Sequence, residues 1–227
     1  MRKAKISRGV LFIVLFLILV ATMIFVANMA CNDTQVLAPN EIREYEGVDL
    51  SSINAFRENS IKGPQEIDVE SYRLRITGLV ANSTNYTYDE VLNRYQHYKK
   101  VVTLDCVEGW SVTILWEGVL VRDLLAEMGP LENAEVLIFH AYDGYTTSLP
   151  IDYIIDNDIL IAYEMNDVIL PPERGFPFQL VAESKWGYKW IKWITEIELS
   201  DDASYRGYWE SRGYSNNADL DENFFGD

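Results

Sequence analysis

Two cysteines (Cys31 and Cys106) and two histidines (His97 and His140) are all that 227 residues supply. Zinc sites of the His/Cys type need several such ligands at set spacings, so they are excluded. A Ser–His–Asp site would have to use one of the two histidines, and no G-x-S-x-G occurs. His97 reads as part of a polar helix and His140 as the end of a strand, both structural. No G-x-G-x-x-G or Walker loop is present, so nucleotide binding has no support. Internal repeats and low-complexity tracts are absent as well. Positive charge is scarce: Arg2, Lys3, Lys5 and Arg8 are four of only 19 basic residues, and no acid precedes Cys31. The remainder carries 15 basic against 35 acidic residues, a field that repels phosphate backbones and argues against nucleic acid.

The N-terminus holds the one long apolar run. A basic "MRKAKISRG" precedes Val10–Ala30, which has no charge over 21 residues. That length spans a bilayer and exceeds the apolar region of most cleaved signals, about 7–15 residues. Positive charge stays on the cytoplasmic side, so the body is expected to face outward. "NMAC" (28–31) resembles a lipoprotein cleavage site, but Asn28 stands where such sites favour an aliphatic residue. An uncleaved anchor is therefore preferred over a lipidated Cys31; both tether the domain. Sequons at Asn32, Asn82 and Asn85 are compatible with export.

The remaining chain suits one domain. The expected division is an anchor at 1–31, a linker at 32–44, a catalytic body at 45–217 and an acidic tail at 218–227. "YRLRITGLV" (72–80) alternates as a half-buried strand. Thr87 to Glu90 forms a capping box for a helix to about Tyr95. "KVVTLD" (100–105) and "SVTILW" (111–116) read as strands flanking a cysteine loop. "VLVRDLLAEMGP" (119–130) has a helical period closed by Gly129 and Pro130. Residues 135–141, 159–165 and 176–182 supply further strands, 142–150 is a turn running into another, 190–199 ends the regular part, and the chain after Ser200 is irregular. Strands outnumber helices, which predicts an α+β fold on a mixed β-sheet.

Cys106, in "LDCVEGWS" (104–111), carries the chemical question. Outside the cytoplasm cysteines usually pair, and Cys31 is a poor partner beside the membrane. Three readings stay open. The thiol is buried and inert; or it is redox-active, although Asp105 and Glu108 are not the neighbours that would activate it; or its thiolate binds a soft metal held mainly by a non-protein ligand.

Four stretches bear on the choice: "LDCVEGWS", "LIAYEMNDVILPPERGFPFQLV" (160–181), "WGYKWIKWITEIEL" (186–199) and "GYWESRGYS" (207–215). In order and spacing they resemble the molybdenum–molybdopterin domain of the sulfite oxidase family, over roughly residues 45–217. The resemblance implies that fold and an oxidoreductase with a molybdenum–molybdopterin cofactor. It implies Cys106 as metal ligand and catalytic residue, with Tyr214 directed at the metal's oxygen. It implies Trp190, Ile191 and Lys192 at the pterin and its phosphate. Arg57 and Asn59 fall near the family's Arg-Asn segment with Asn54 beside them, and Asp143 or Thr146 lies at a polar pterin contact.

Departures from the family shape the substrate expectation. Sulfite oxidases place a basic pair soon after the cysteine; here Trp110 and Ser111 stand there, with Glu108 close by. A carboxylate and an indole suit a sulfite dianion poorly. "CVEGWS" is more similar to the periplasmic protein-methionine-sulfoxide reductases of the family, whose substrate is neutral. The family has His or Asn at the position of Arg174 and Arg at that of Gln179, so the cation has moved, and both residues are candidates for the cofactor's phosphate. The expectation is a two-electron oxygen-atom transfer outside the cytoplasm, the reduction of a sulfoxide or a similar neutral S- or N-oxide. Sulfite or other small-anion oxidation, and a metal-free scaffold module, are the alternatives. Sulfite oxidases carry a dimerisation domain beyond the tyrosine, and this chain ends soon after Tyr214, so the catalytic domain is expected to be monomeric. It would pass electrons to a separate protein, a membrane haem or quinone-linked one.

Overall fold

The computed structural model describes residues 40–226. The anchor reading, Cys31 and the first sequon lie outside the described residues. Among those described, no helix is long and apolar enough to cross a membrane.

Two five-stranded sheets share one apolar core. The first has the order β10-β9-β6-β5, with β11 also on β9: β5 is His97–Asp105, β6 Ser111–Leu120, β9 Leu160–Met165, β10 Val168–Ile169 and β11 Gln179–Val181. All its pairings are antiparallel. The second has the order β4-β3-β12-β7-β8: β3 is Leu74–Gly78, β4 Thr84–Tyr86, β7 Val136–Ala141, β8 Thr146–Pro150 and β12 Ile194–Ser200. Its β12 runs parallel to β3 and antiparallel to β7, which makes the sheet mixed as expected. A small hairpin, β1 (Glu44–Tyr45) with β2 (Val48–Asp49), precedes both.

Alternation explains the strands. In β3, Leu74 and Ile76 are buried, while Arg75 and Thr77 face outward and bond Glu196 on β12. Helix α1 (Tyr88–Arg94) opens on the predicted capping box: Thr87 Oγ1 accepts from Glu90 N at 3.1 Å, and Thr87 N donates to Glu90 Oε2 at 2.8 Å. Helix α2 (Val121–Met128) closes on Gly129 in the left-handed conformation, whose N–H donates to Leu125 O.

Three local expectations shift. Val119 and Leu120 belong to β6, not to a helix, because they pair with Ile161 and Leu160. His97 opens β5 rather than sitting in a helix, since Tyr95 is extended and ends α1. Its imidazole lies 2.6 Å from Leu92 O and 2.9 Å from Tyr163 Oη, a structural role. Helix α3 (Ile151–Asp156) has no counterpart in the sequence reading; six residues after Pro150 are too few to display a period.

Candidate functional site

A cleft of about 330 Å³ opens beside the β5–β6 turn, a size in the range of small-ligand sites. Cys106 follows the last residue of β5, an edge strand, and starts a tight turn. Its N–H donates to Trp110 O, and Gly109 N–H donates to Cys106 O, both at 2.9 Å. Gly109 takes φ +85°, which a glycine adopts without strain. From below, the 3₁₀ turn Gly187–Lys189 comes so close that a Cβ on Gly187 would sit 3.2 Å from Asp105 O. The thiol is free and half-buried on the cleft wall. Burial pushes its pKa up, with the Glu108 charge adding to the rise and hydrogen bonds opposing it.

Beside the thiol a small polar network is fixed. Asn59 Nδ2 lies 3.8 Å from Cys106 Sγ and 3.4 Å from Glu108 Oε2, and Trp110 Nε1 donates to the same Glu108 oxygen at 3.1 Å. The indole hydrogen bond, aided by Asn59, holds the Glu108 carboxyl below its ordinary pKa. Phe56 packs on Trp110 with ring centroids 5.6 Å apart.

Cations gather on another part of the wall, where the 53–60 segment meets residues 172–174 and 191–193. Arg174 is engaged by backbone: its guanidinium donates to Ile53 O (2.9 Å), Phe56 O (2.7 Å) and Arg57 O (3.3 Å) and stacks over the Phe56 ring at 3.8 Å. Lys192 Nζ donates to Glu58 Oε1 at 2.5 Å and Glu173 O at 3.2 Å, and lies 4.3 Å from the Trp193 ring centre. Burial lowers the pKa of both cations. Arg57 is exposed on the same wall. Ser60 Oγ lines the cleft buried, with no hydrogen-bond partner among the described residues.

The remaining wall comes from the end of the chain. Tyr214 lines the cleft, and its hydroxyl makes no hydrogen bond to another described residue. Its ring sits among Tyr188, Trp209 and Phe225, at centroid distances of 5.1, 5.2 and 4.7 Å. A buried ion pair ties this wall down: Lys189 Nζ donates to Glu210 Oε1 at 2.7 Å, with both side chains fully buried. Residues 218–226 fold back along it through bridges Lys185–Asp219 and Tyr214–Phe225.

Of the sequence candidates, Cys106, Tyr214, Arg57, Asn59, Asp143, Arg174, Gln179, Trp190, Ile191 and Lys192 all line this cleft. Asp143 is buried and accepts from Tyr145 N; Gln179 projects from β11; Ile191 O accepts from Leu180 N; Trp190 Nε1 is bound to Lys185 O. Two candidates are elsewhere. Asn54 is exposed and off the wall, and Thr146 points away on β8, its hydroxyl accepting from Tyr205 Oη. Sequence reasoning passed over Glu58, Ser60, Tyr188 and Trp209. Tyr188 and Trp209 stand inside quoted motifs, so proximity to Lys192 and Tyr214 was their only signal.

The family described as "Oxidoreductase molybdopterin binding domain" matches residues 61–209. The chain is 32% identical over 152 residues to "Uncharacterized oxidoreductase YuiH" of Bacillus subtilis, covering 66% of this chain and 76% of that one. It is 33% identical over 152 residues to "Putative protein-methionine-sulfoxide reductase subunit YedZ1" of Azospira oryzae, of which it covers 57%. A nitrate reductase [NADPH] of Fusarium oxysporum is 27% identical over 170 residues, and only 19% of it is covered. In fold, the sulfane dehydrogenase SoxCD of Paracoccus pantotrophus matches with a TM-score of 0.63 and 21% identity, over 82% of this chain and 52% of that one.

Proposed function

From a chain that belongs to the sulfite oxidase family of molybdopterin-binding oxidoreductases, we propose an enzyme that reduces a neutral sulfoxide or a similar S- or N-oxide. The observation that carries it is the free thiol of Cys106 opening onto a cleft with cations on its wall and a fixed carboxylate beside the sulfur. The residues present fit the cofactor. Cys106 offers one soft ligand and needs no further protein sulfur. The unpartnered Ser60 hydroxyl, Gln179 and the Lys192 ammonium offer polar contacts for a ligand with an anionic end. A bound molybdenum–molybdopterin group would supply two-electron oxygen-atom chemistry at this place.

The chain's own residues would bind, orient and select. Trp190 and Ile191 would shape the pterin's bed and Lys192 would face its phosphate. Asn59 steadies Glu108 and the sulfur. Tyr214 Oη, not spent on another described residue, would donate a hydrogen bond to the substrate oxygen. Glu108 stays ionised beside the thiol and disfavours a dianion. The balanced reaction takes a sulfoxide, two electrons and two protons to a sulfide and water. A separate carrier protein would deliver the electrons, in keeping with the word "subunit" in one relative's name. The uncharged stretch Val10–Ala30 supports a membrane tether with the domain outside the cytoplasm. Oxidation of a small anion is the second reading, favoured by the exposed Arg57 on the cleft wall.

Protein from a molybdopterin-competent host is expected to hold close to one molybdenum per chain, and Cys106→Ser to hold almost none. Steady-state turnover with an artificial electron partner should favour methionine sulfoxide over sulfite. No metal in the unmutated chain would overturn the enzyme; brisk sulfite turnover would overturn the substrate.

A further inference from the structure

Lys192 is the cleft-facing ammonium, and it already has a counter-ion. Lys192 Nζ donates one hydrogen bond to Glu58 Oε1 at 2.5 Å and another to Glu173 O at 3.2 Å. The pair is largely screened from water, with side-chain exposures of 13% for Lys192 and 22% for Glu58. Its attraction therefore exceeds that of an exposed pair. The other charges acting on Lys192 are Asp143 and Arg174. Arg174 is spent on the carbonyls of Ile53, Phe56 and Arg57, which are the residues leading to Glu58. The guanidinium thus braces the segment that presents Glu58. One residue further on, Asn59 touches Cys106 Sγ and Glu108.

An anion entering the cleft at Lys192 meets a lysine already paired with a carboxylate. We propose that Glu58 competes with the anionic end of the bound ligand for Lys192 and so sets how tightly that end is held. Arg174 acts as the brace that keeps Glu58 in place. The inference rests on the molybdopterin reading for the identity of the ligand, but the competition itself concerns any phosphate-like group.

Inorganic phosphate is the probe. Apoprotein from a host that makes no molybdopterin is titrated with it, read by calorimetry. Glu58→Gln is expected to bind phosphate about tenfold tighter than the unmutated chain. Glu58→Asp, which keeps the charge and checks against a folding artefact, is expected to stay near the unmutated affinity. Lys192→Met is expected to remove the binding in either background. Equal affinities for the unmutated chain and Glu58→Gln, or no phosphate binding by either, overturn the proposal; so does Glu58→Asp binding as tightly as Glu58→Gln. Pterin released from the unmutated chain made in a competent host is measured alongside. Pterin present without a phosphate difference sinks this inference alone. A phosphate difference without pterin sinks the molybdopterin reading and leaves the competition standing.

Discussion

Cys106 and Tyr214 face the same cleft, yet the chain holds them by different means. Cys106 hangs from a hairpin whose strands pair without interruption from His97–Val119 to Asp105–Ser111. Backbone hydrogen bonds fix it, and side chains such as Leu104, Val112 and Ile114 need only be apolar and inward. Tyr214 lies in irregular chain, where side chains replace the ladder. Lys189 and Thr147 grip Glu210, the Tyr188 hydroxyl donates to Ser215 O, and Lys185 bonds Asn217 and Asp219. A wall built on a ladder tolerates exchange of single side chains, whereas one built on buried polar contacts depends on each of them.

The sharpest break of this contrast is Lys189→Met. It strips a fully buried Glu210 of its cation, and an uncompensated buried charge costs about 3–5 kcal/mol. Urea unfolding should register that loss, and Lys189→Met with Glu210→Leu should recover most of it. A single substitution with no loss would mean that the ion pair does not hold the Tyr214 wall.

A smaller effect sharpens the hairpin side. Burial and the Glu108 charge raise the Cys106 thiol, so alkylation of the apoprotein should follow a midpoint above the ordinary thiol value of about 8.5. The sign follows from the charges: a neighbouring carboxylate disfavours the thiolate, so Glu108→Gln should move the midpoint down. A midpoint below that of free cysteine would contradict the environment described.

The smallest effect is expected for Cys106→Ser in stability. The turn is made by backbone hydrogen bonds that the exchange leaves in place. Unfolding of the two apoproteins should agree within about 0.5 kcal/mol. A larger loss would make the thiol part of the fold rather than of the chemistry.

Several features of fold and site were legible because they are local. The capping box at Thr87 needs residues three apart, and the alternation in 72–80 states which side of β3 is buried. The run from Leu104 to Ser111 marks two strands and a turn with one cysteine between them. Ten of the twelve site candidates meet at one cleft; seven of them lie inside the four quoted stretches, and Arg57, Asn59 and Asp143 lie outside them. Asn54 and Thr146 fell outside it because nearness in sequence does not fix which way a side chain points on an irregular segment or a strand.

The sequence by itself therefore determined the strand-rich class, the unpaired Cys106 and the family to which these motifs belong. Only the tertiary structure decided that Glu58 meets Lys192 across 134 positions, that Glu210 closes on Lys189, and that Arg174 spends its donors on the 53–57 backbone. Periodicity and turn chemistry record burial within a few residues. The pairing of a distant acid with a base depends on how the two sheets and their connections bring them together, and no local pattern encodes that.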